Sequence, residues 1–235
     1  MKTILALLSI LGVYCANGQQ HKRVHTQSGV VFNVQTGGTI FYGEISRRAI
    51  LPENRKNKKD FGAASSFSVQ INGINGIDTR ISVLTGTING IRYDERGCYQ
   101  RYFVNTFQEV DVTTAFDIFK NNNEFNNLTI SGMVGLGVIK YRSVLRSLLT
   151  DRLISKIGYA NQKRDFPQLE ASDMVTDLVA ILGGTISYDL NSNFQVVIEH
   201  SYRIANSSKL DAIAGKGGFT DAYSFSSFGI NYKLN

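Results

Sequence analysis

Acid–base or nucleophilic chemistry needs a histidine, cysteine or carboxylate beside a hydroxyl or a second titratable group. The chain offers three histidines and two cysteines. His200-Ser201 is the one His/Ser pair inside a stretch of alternating polarity. Adjacent residues of a strand point to opposite faces, so these two cannot exchange a proton as base and nucleophile. His21 and His25 lie in an N-terminal polar segment, and Cys98 has only Arg96 and Arg101 nearby to activate it. No metal-ligand spacing, phosphate-cradling glycine loop or catalytic carboxylate pair stands out, so neither a metal nor another cofactor is expected.

The charges carry more information. Arg80, Glu109, Asp111, Asp117, Glu199, Arg203 and Lys233 each fall on the polar parity of an alternating stretch. A second group, Arg47, Arg48, Arg55, Lys56, Lys58 and Lys59, forms a basic cluster opposed only by Glu53 and Asp60. What these groups do depends on the elements that position them.

Eight stretches alternate with a period of two. They run from about Val30 to Ile45, Ala63 to Asn72, Ile77 to Arg92, Tyr102 to Phe119, Leu128 to Arg142, Thr176 to Leu190, Phe194 to Ala205, and Ala222 to the end. In the seventh, Phe194, Val196, Ile198, Tyr202 and Ile204 oppose Gln195, Glu199, Ser201 and Arg203. In the eighth, Phe228, Ile230, Tyr232 and Leu234 oppose Gly229, Asn231 and Lys233. The third loses its parity after Leu84, which suggests a β-bulge there. Connections after the second, fourth and sixth stretches are short and rich in Asn and Gly. Those at Ser46–Gly62, Tyr93–Arg101, Ser143–Val175 and Asn206–Asp221 are long. Strict alternation of short and long links is the pattern of an outer-membrane barrel, with turns in the periplasm and loops outside. The expected fold is therefore all-β: an eight-stranded antiparallel up-and-down transmembrane β-barrel, apolar face to lipid and polar face to the lumen. A soluble lipocalin-like barrel would reverse those faces.

Residues 1–18 read as a signal peptide: Lys2, an apolar run from Ile4 to Val13 too short to span a bilayer, and the small residues Ala16 and Gly18. Residues 19–29 then form a periplasmic segment and 30–235 the barrel. Cleavage after Gly18 removes Cys15 and leaves Cys98 without a disulfide partner. Within the third long connection, Leu145, Leu149, Leu153 and Ile157 recur at four-residue spacing, which predicts an amphipathic helix that caps the barrel mouth or offers an apolar face to a partner.

The segments Gly37–Ile45, Val134–Arg142, Ser208–Ala212, Asp221–Tyr223 and Phe228–Leu234 resemble the outer-membrane β-barrel proteins of Bacteroidota, a family that includes barrels related to the membrane domain of OmpA. The resemblance implies an outer-membrane location. It also implies a C-terminal assembly signal read by the barrel-insertion machinery, with Gly229, Tyr232 and Leu234 at matching places. OmpA proper continues into a peptidoglycan-binding domain, whereas this sequence stops at Asn235, so peptidoglycan tethering is not expected.

Together these readings place the inward charges in an ion-paired, filled lumen that does not conduct. They place the basic cluster beside lipopolysaccharide phosphates on the outer face, or against an acidic partner. Nucleic acid is not an expected partner. The expected role is non-enzymatic, as a structural or interaction component of the outer membrane or of a larger complex in it; a lipid A-modifying enzyme and a small channel are the alternatives. Tyr232→Asp is expected to block membrane assembly and Asn231→Ser to be nearly silent, as read by membrane fractionation.

Overall fold

The structure, a computed structural model, describes residues 29–43, 60–73, 77–92, 101–123, 126–159, 174–212 and 220–234. The expected signal peptide, the basic cluster of Arg47 to Lys59, His21, His25 and Cys98 lie outside these residues. The strands are β1 (Val30–Tyr42), β2 (Phe61–Ile71), β3 (Ile77–Arg92), β4 (Arg101–Asn123), β5 (Asn126–Ser147), β6 (Leu153–Ile157), β7 (Val175–Asp189), β8 (Phe194–Ala205) and β9 (Ala222–Leu234). Among the described residues no helix is long and apolar enough to cross a membrane, which says nothing of strands.

Eight strands close into one antiparallel barrel. Each pairs with the next in the order β1, β2, β3, β4, β5, β7, β8, β9, and β9 returns to β1. Around the eight-stranded ring, closure pairs every strand on both sides, the condition for placing a sheet in hydrocarbon. Val30 pairs with Leu234, so both ends of the barrel sequence sit at the rim of the short turns.

The outer surface of the turn-side half is apolar. Val34, Phe67, Ile81, Val112, Leu136, Leu182, Ile198, Phe228 and Ile230 are all exposed. Their lumen-facing neighbours Asn33, Gln35, Ser82, Asp111, Glu199 and Asn231 are buried. This is a soluble protein turned inside out, and it makes the barrel a membrane-spanning one. The 11 residues of β2 rise about 25 Å along the axis at roughly 3.3 Å per residue and a tilt near 40°, the height of a lipid-facing band. The ring pair Phe194–Tyr232 (5.2 Å) sits at the turn end of the band, where amphipathic aromatic rings meet headgroups, and the pair Tyr42–Tyr202 (5.4 Å) lies on the outer wall of the loop-side half.

The two-faced rule does not hold along the whole strand. In the loop-side half the lumen is lined by Phe41, Leu84, Ile88, Phe103, Phe107, Tyr141, Tyr223 and Phe225, all fully buried. Many outward positions of that half are hydroxylated or polar, among them Thr36, Ser65, Thr85, Thr87, Thr106 and Gln108, alongside apolar ones such as Ile40, Val104 and Ile204. The apparent loss of parity after Leu84 has this cause. The β3–β4 register runs unbroken from Ile77↔Phe116 to Arg92↔Arg101, with no bulge at Leu84. The alternation continues while the inward residues change from polar to apolar. The irregularity lies instead in β4, between Asp117 and Phe119.

The expected helix is absent. β5 runs past Arg142 to Ser147, turns at residues 148–150, and returns as β6, with Ser143↔Ile157 and Leu145↔Ser155 paired. A four-residue spacing returns a side chain to the same face in a strand as well as in a helix, so Leu145, Leu149, Leu153 and Ile157 did not discriminate between them. The cap over the mouth comes from the fourth connection. Leu210 is fully buried in the core, and its carbonyl oxygen accepts hydrogen bonds from Asn105 Nδ2 (2.9 Å) and Ser143 Oγ (2.7 Å). Its N–H donates to Asp221 Oδ2 (2.9 Å).

Glycine is required where walls meet closely. A Cβ on Gly229 would stand 2.2 Å from the Val34 carbonyl oxygen and 2.6 Å from Gln35 Cγ. One on Gly38 would meet nothing nearer than 3.8 Å. Gly229→Val is therefore expected to prevent β9 from docking on β1 and to abolish the heat-modifiable folded band in gel electrophoresis, whereas Gly38→Ala retains it.

Candidate functional site: the charged lumen

Three strands deliver the charges to mid-barrel. Period-two alternation aims Arg80 (β3), Glu109 and Asp111 (β4), and Glu199 and Arg203 (β8) inward, where all five are buried. They form two layers. In the first, Arg80 grips Glu199 bidentately, Nη1 to Oε2 at 2.6 Å and Nη2 to Oε1 at 3.2 Å. Gln35 Nε2 donates to the same carboxylate (3.2 Å), and Arg80 Nε donates to Thr113 Oγ1 (3.2 Å). In the second, Arg203 Nη1 donates to Glu109 and to Asp111 Oδ2 (3.0 Å), while its Nε donates to Ser201 Oγ (3.2 Å). The Tyr223 hydroxyl donates to Glu109, and its ring packs on Phe107 with centroids 5.5 Å apart. Tyr223 thus ties the ion-pair layer to the apolar core above it.

These contacts close the middle of the barrel. On the turn side of Arg80 lies a cavity of about 130 Å³, lined by Asn33, Asp78, Asp117, Lys120, Asp189, Gln195, Asn231 and Lys233 among others. On the loop side the aromatic core and Leu210 fill the lumen. The arrangement is a plug with a polar vestibule at the turn end.

Two residues stand elsewhere than expected. Asp117 is exposed and accepts a hydrogen bond from Ser131 Oγ (2.8 Å). It lines the vestibule, apart from the ion-pair layers, because β4 has by then reached the turn-end rim. Lys233 is at the same rim, paired with Asp189. Asn231 is more than a spacer: it accepts from Asn33 Nδ2 and donates to Gln195 Oε1 (2.6 Å). Asn231→Ser is accordingly not silent, because shortening the side chain leaves Asn33 and Gln195 short of partners at about 1–3 kcal/mol. Tyr232 and Leu234 point outward and are exposed, Gly229 inward.

One chemical pair escaped the sequence reading. His200 Nδ1 and Ser226 Oγ are 2.8 Å apart on the outer wall, on β8 and β9. The partner is not the adjacent Ser201 but the residue directly across the ladder, since His200 pairs with Ser226 in register. Strand alternation alone identifies His200 as outward; the β8–β9 register is what supplies the hydroxyl. On the outward face of β8 and β9 no carboxylate stands among the described residues to orient the imidazole. No group of three or more His, Cys, Asp or Glu that could hold a metal occurs among the described residues either.

No protein-family model and no curated protein sequence matches the chain. Among solved structures it is similar to Ail, the attachment invasion locus protein of Yersinia pestis (12% identity, 89% of this chain and 100% of that one, TM-score 0.45). It is likewise similar to neisserial surface protein A (10%, 87% and 97%, TM-score 0.44) and to a major outer membrane protein of Thermus thermophilus (12%, 87% and 99%, TM-score 0.42).

The two layers make a direct prediction. Arg203→Met leaves Glu109 and Asp111 buried without their cation and is expected to destabilise the folded barrel by about 3–5 kcal/mol. Adding Glu109→Gln and Asp111→Asn to that variant is expected to recover much of the loss, as measured by urea unfolding in detergent micelles or lipid.

Proposed function

We propose that this chain is an outer-membrane barrel whose role is structural or interactional: a stable, non-conducting scaffold that presents its loop-side end to partners. The observation that supports the reading is the lumen. Two Arg–carboxylate layers and an aromatic core occupy the space that a channel would keep wet, and the fourth connection is built into the mouth through Leu210. The strands β4, β5 and β6 also continue the sheet at the loop end with Arg101–Asn105, Ser143–Ser147 and Leu153–Ile157. That extension is surface on which a partner can dock. Lipid on the outer wall and a larger membrane complex are the partners this reading implies, with the barrel-insertion machinery acting on Gly229, Tyr232 and Leu234 during assembly.

The His200–Ser226 pair favours a second reading, a lipid-modifying enzyme working on the outer wall. A histidine hydrogen-bonded to a serine is half of a nucleophilic dyad. What counts against it is the lack of an orienting acid on that wall among the described residues.

Two measurements separate the readings. Purified protein in planar bilayers is expected to show no large, stable unit conductance; such a conductance would refute the scaffold. Mass spectrometry of membrane lipid from cells carrying the wild-type gene or Ser226→Ala is expected to show identical lipid A. A difference restored by the wild-type gene would establish the enzyme instead.

A further inference from the structure

Lysine and arginine are distributed unevenly over the strands. Arg80, Arg203, Lys120 and Lys233 line the lumen or its vestibule. Among the described residues, the outward positions in the loop-side half of β1, β2, β3, β8 and β9 hold no lysine or arginine. They read Thr36, Gly38, Ile40 and Tyr42; Phe61, Ala63 and Ser65; Thr85, Thr87, Asn89 and Ile91; His200, Tyr202 and Ile204; Ala222, Ser224 and Ser226. The outward face of β5 is different. After Val134, Leu136 and Val138, which belong to the apolar band, the same face continues with Lys140, Arg142 and Arg146. Lys156 of β6 joins them, since it pairs with Val144 and so shares that face.

The position of this column is as informative as its charge. Lys140 is one outward step beyond Val138 and is exposed, and Arg142 is about 7 Å farther along the strand. On the neighbouring strands Lys140 pairs with Gln108 and Thr176, the first polar outward positions after Val110 on β4 and Leu178 on β7. The cations thus begin where the hydrocarbon band ends, at headgroup depth. Their geometry is also supported. The Arg142 guanidinium carbon lies 5.7 Å from the centroid of the Tyr159 ring. Arg146 Nη1 donates to the Asp151 carbonyl (3.1 Å) and to its carboxylate (3.2 Å), and Tyr102 bonds to that carboxylate as well. Asp151, at the turn of the hairpin, thus takes up Arg146, while Lys140 and Arg142 face the membrane surface as a pair of like charges two residues apart.

We infer that the outward face of the β5–β6 hairpin, through Lys140 and Arg142, binds the anionic phosphate headgroup of a membrane lipid packed against β4, β5 and β7. The acyl chains of that lipid lie on Val110, Val138 and Leu178, and its phosphate reaches both cations. The charge matches, and the apolar wall directly below the cations supplies the complementary surface for the chains. A guanidinium and an ammonium at this spacing suit a phosphate with two free oxygens. The inference rests on the membrane-spanning reading of the barrel, and it also names one wall as the lipid-selective one.

The test uses the full chain in nanodiscs of equal parts phosphatidylcholine and phosphatidic acid, followed by native mass spectrometry of the lipids that stay bound. Wild-type protein is expected to retain phosphatidic acid preferentially. Lys140→Gln with Arg142→Gln is expected to reduce that preference about thirtyfold, the order of effect of two lost cations at a membrane surface. The charge-conserving Lys140→Arg with Arg142→Lys keeps it, as does Lys120→Gln at the opposite rim. Inorganic phosphate added in excess is not expected to displace the lipid. Equal retention of the two lipids by wild type overturns the site, as does equal loss in the Gln and the charge-conserving pairs. Displacement by inorganic phosphate also overturns it, by showing a plain anion site. Folding of every variant is checked by heat-modifiable gel migration, so failure of the barrel to insert, which would count against the membrane reading itself, is seen separately.

Discussion

The interior of this barrel depends on two arginines held by three carboxylates. Arg80 with Glu199, and Arg203 with Glu109 and Asp111, are buried in a space walled on every side by strands that themselves stand in lipid. An isolated charge there would have neither water nor counter-charge, so each group constrains the others. Because the pairs join β3 to β8 and β4 to β8, they cross the lumen and bind walls that the ladder hydrogen bonds link only around the circumference. The backbone closes the barrel, and the side chains determine how far it can open inside. Tyr223 extends this layer upward by bonding Glu109 with its hydroxyl while its ring joins the aromatic core.

Above that layer the chemistry inverts. The lumen becomes apolar and the outer wall becomes rich in hydroxyls. The membrane supplies the reason for the lower half: hydrocarbon outside demands apolar side chains there and leaves polar groups to pair within. Where the wall approaches and leaves the bilayer that demand lapses, and the ordinary preference of a water-surrounded protein for an apolar interior returns. One set of strands therefore obeys two solvents in turn. The loop-side half is a packed core of Phe41, Phe103, Phe107 and Phe225 sealed by Leu210, and this core suits a rigid platform better than a gate.

The same change of solvent organises the outer wall. The exposed apolar run ends at Val138 on β5, and cations follow on the same face within two residues. Elsewhere around the loop-side rim the transition is made by tyrosines and hydroxyls, as at Tyr42, Tyr202 and Ser224. The barrel is thus nearly symmetric in its hydrogen-bond ladder and asymmetric in what it shows to lipid. Under the proposed scaffold role, that asymmetry would give the barrel a direction in the plane of the membrane, with lipid on one side and the loop-side end free for partners.

Period-two alternation by itself determined most of this architecture. The span of β3, Ile77–Arg92, and that of β8, Phe194–Ala205, are legible in the residues, as are the outward assignment of Phe228, Ile230 and Tyr232 and the inward one of Arg80, Glu109, Asp111, Glu199 and Arg203. Alternation is a local property, set by two neighbouring residues, and local properties survive in sequence. Only the tertiary structure decided the rest. Which carboxylate meets which arginine depends on the register and stagger of strands more than a hundred residues apart, as with Arg80 and Glu199. That Ser226 rather than Ser201 meets His200 depends on the β8–β9 ladder. That the leucines after Leu145 turn back as a strand depends on β5 having an edge left open beyond the end of β7, because a four-residue repeat fits helix and strand alike. Contacts across a barrel are set by closure, and closure belongs to the whole ring of strands and not to any one of them.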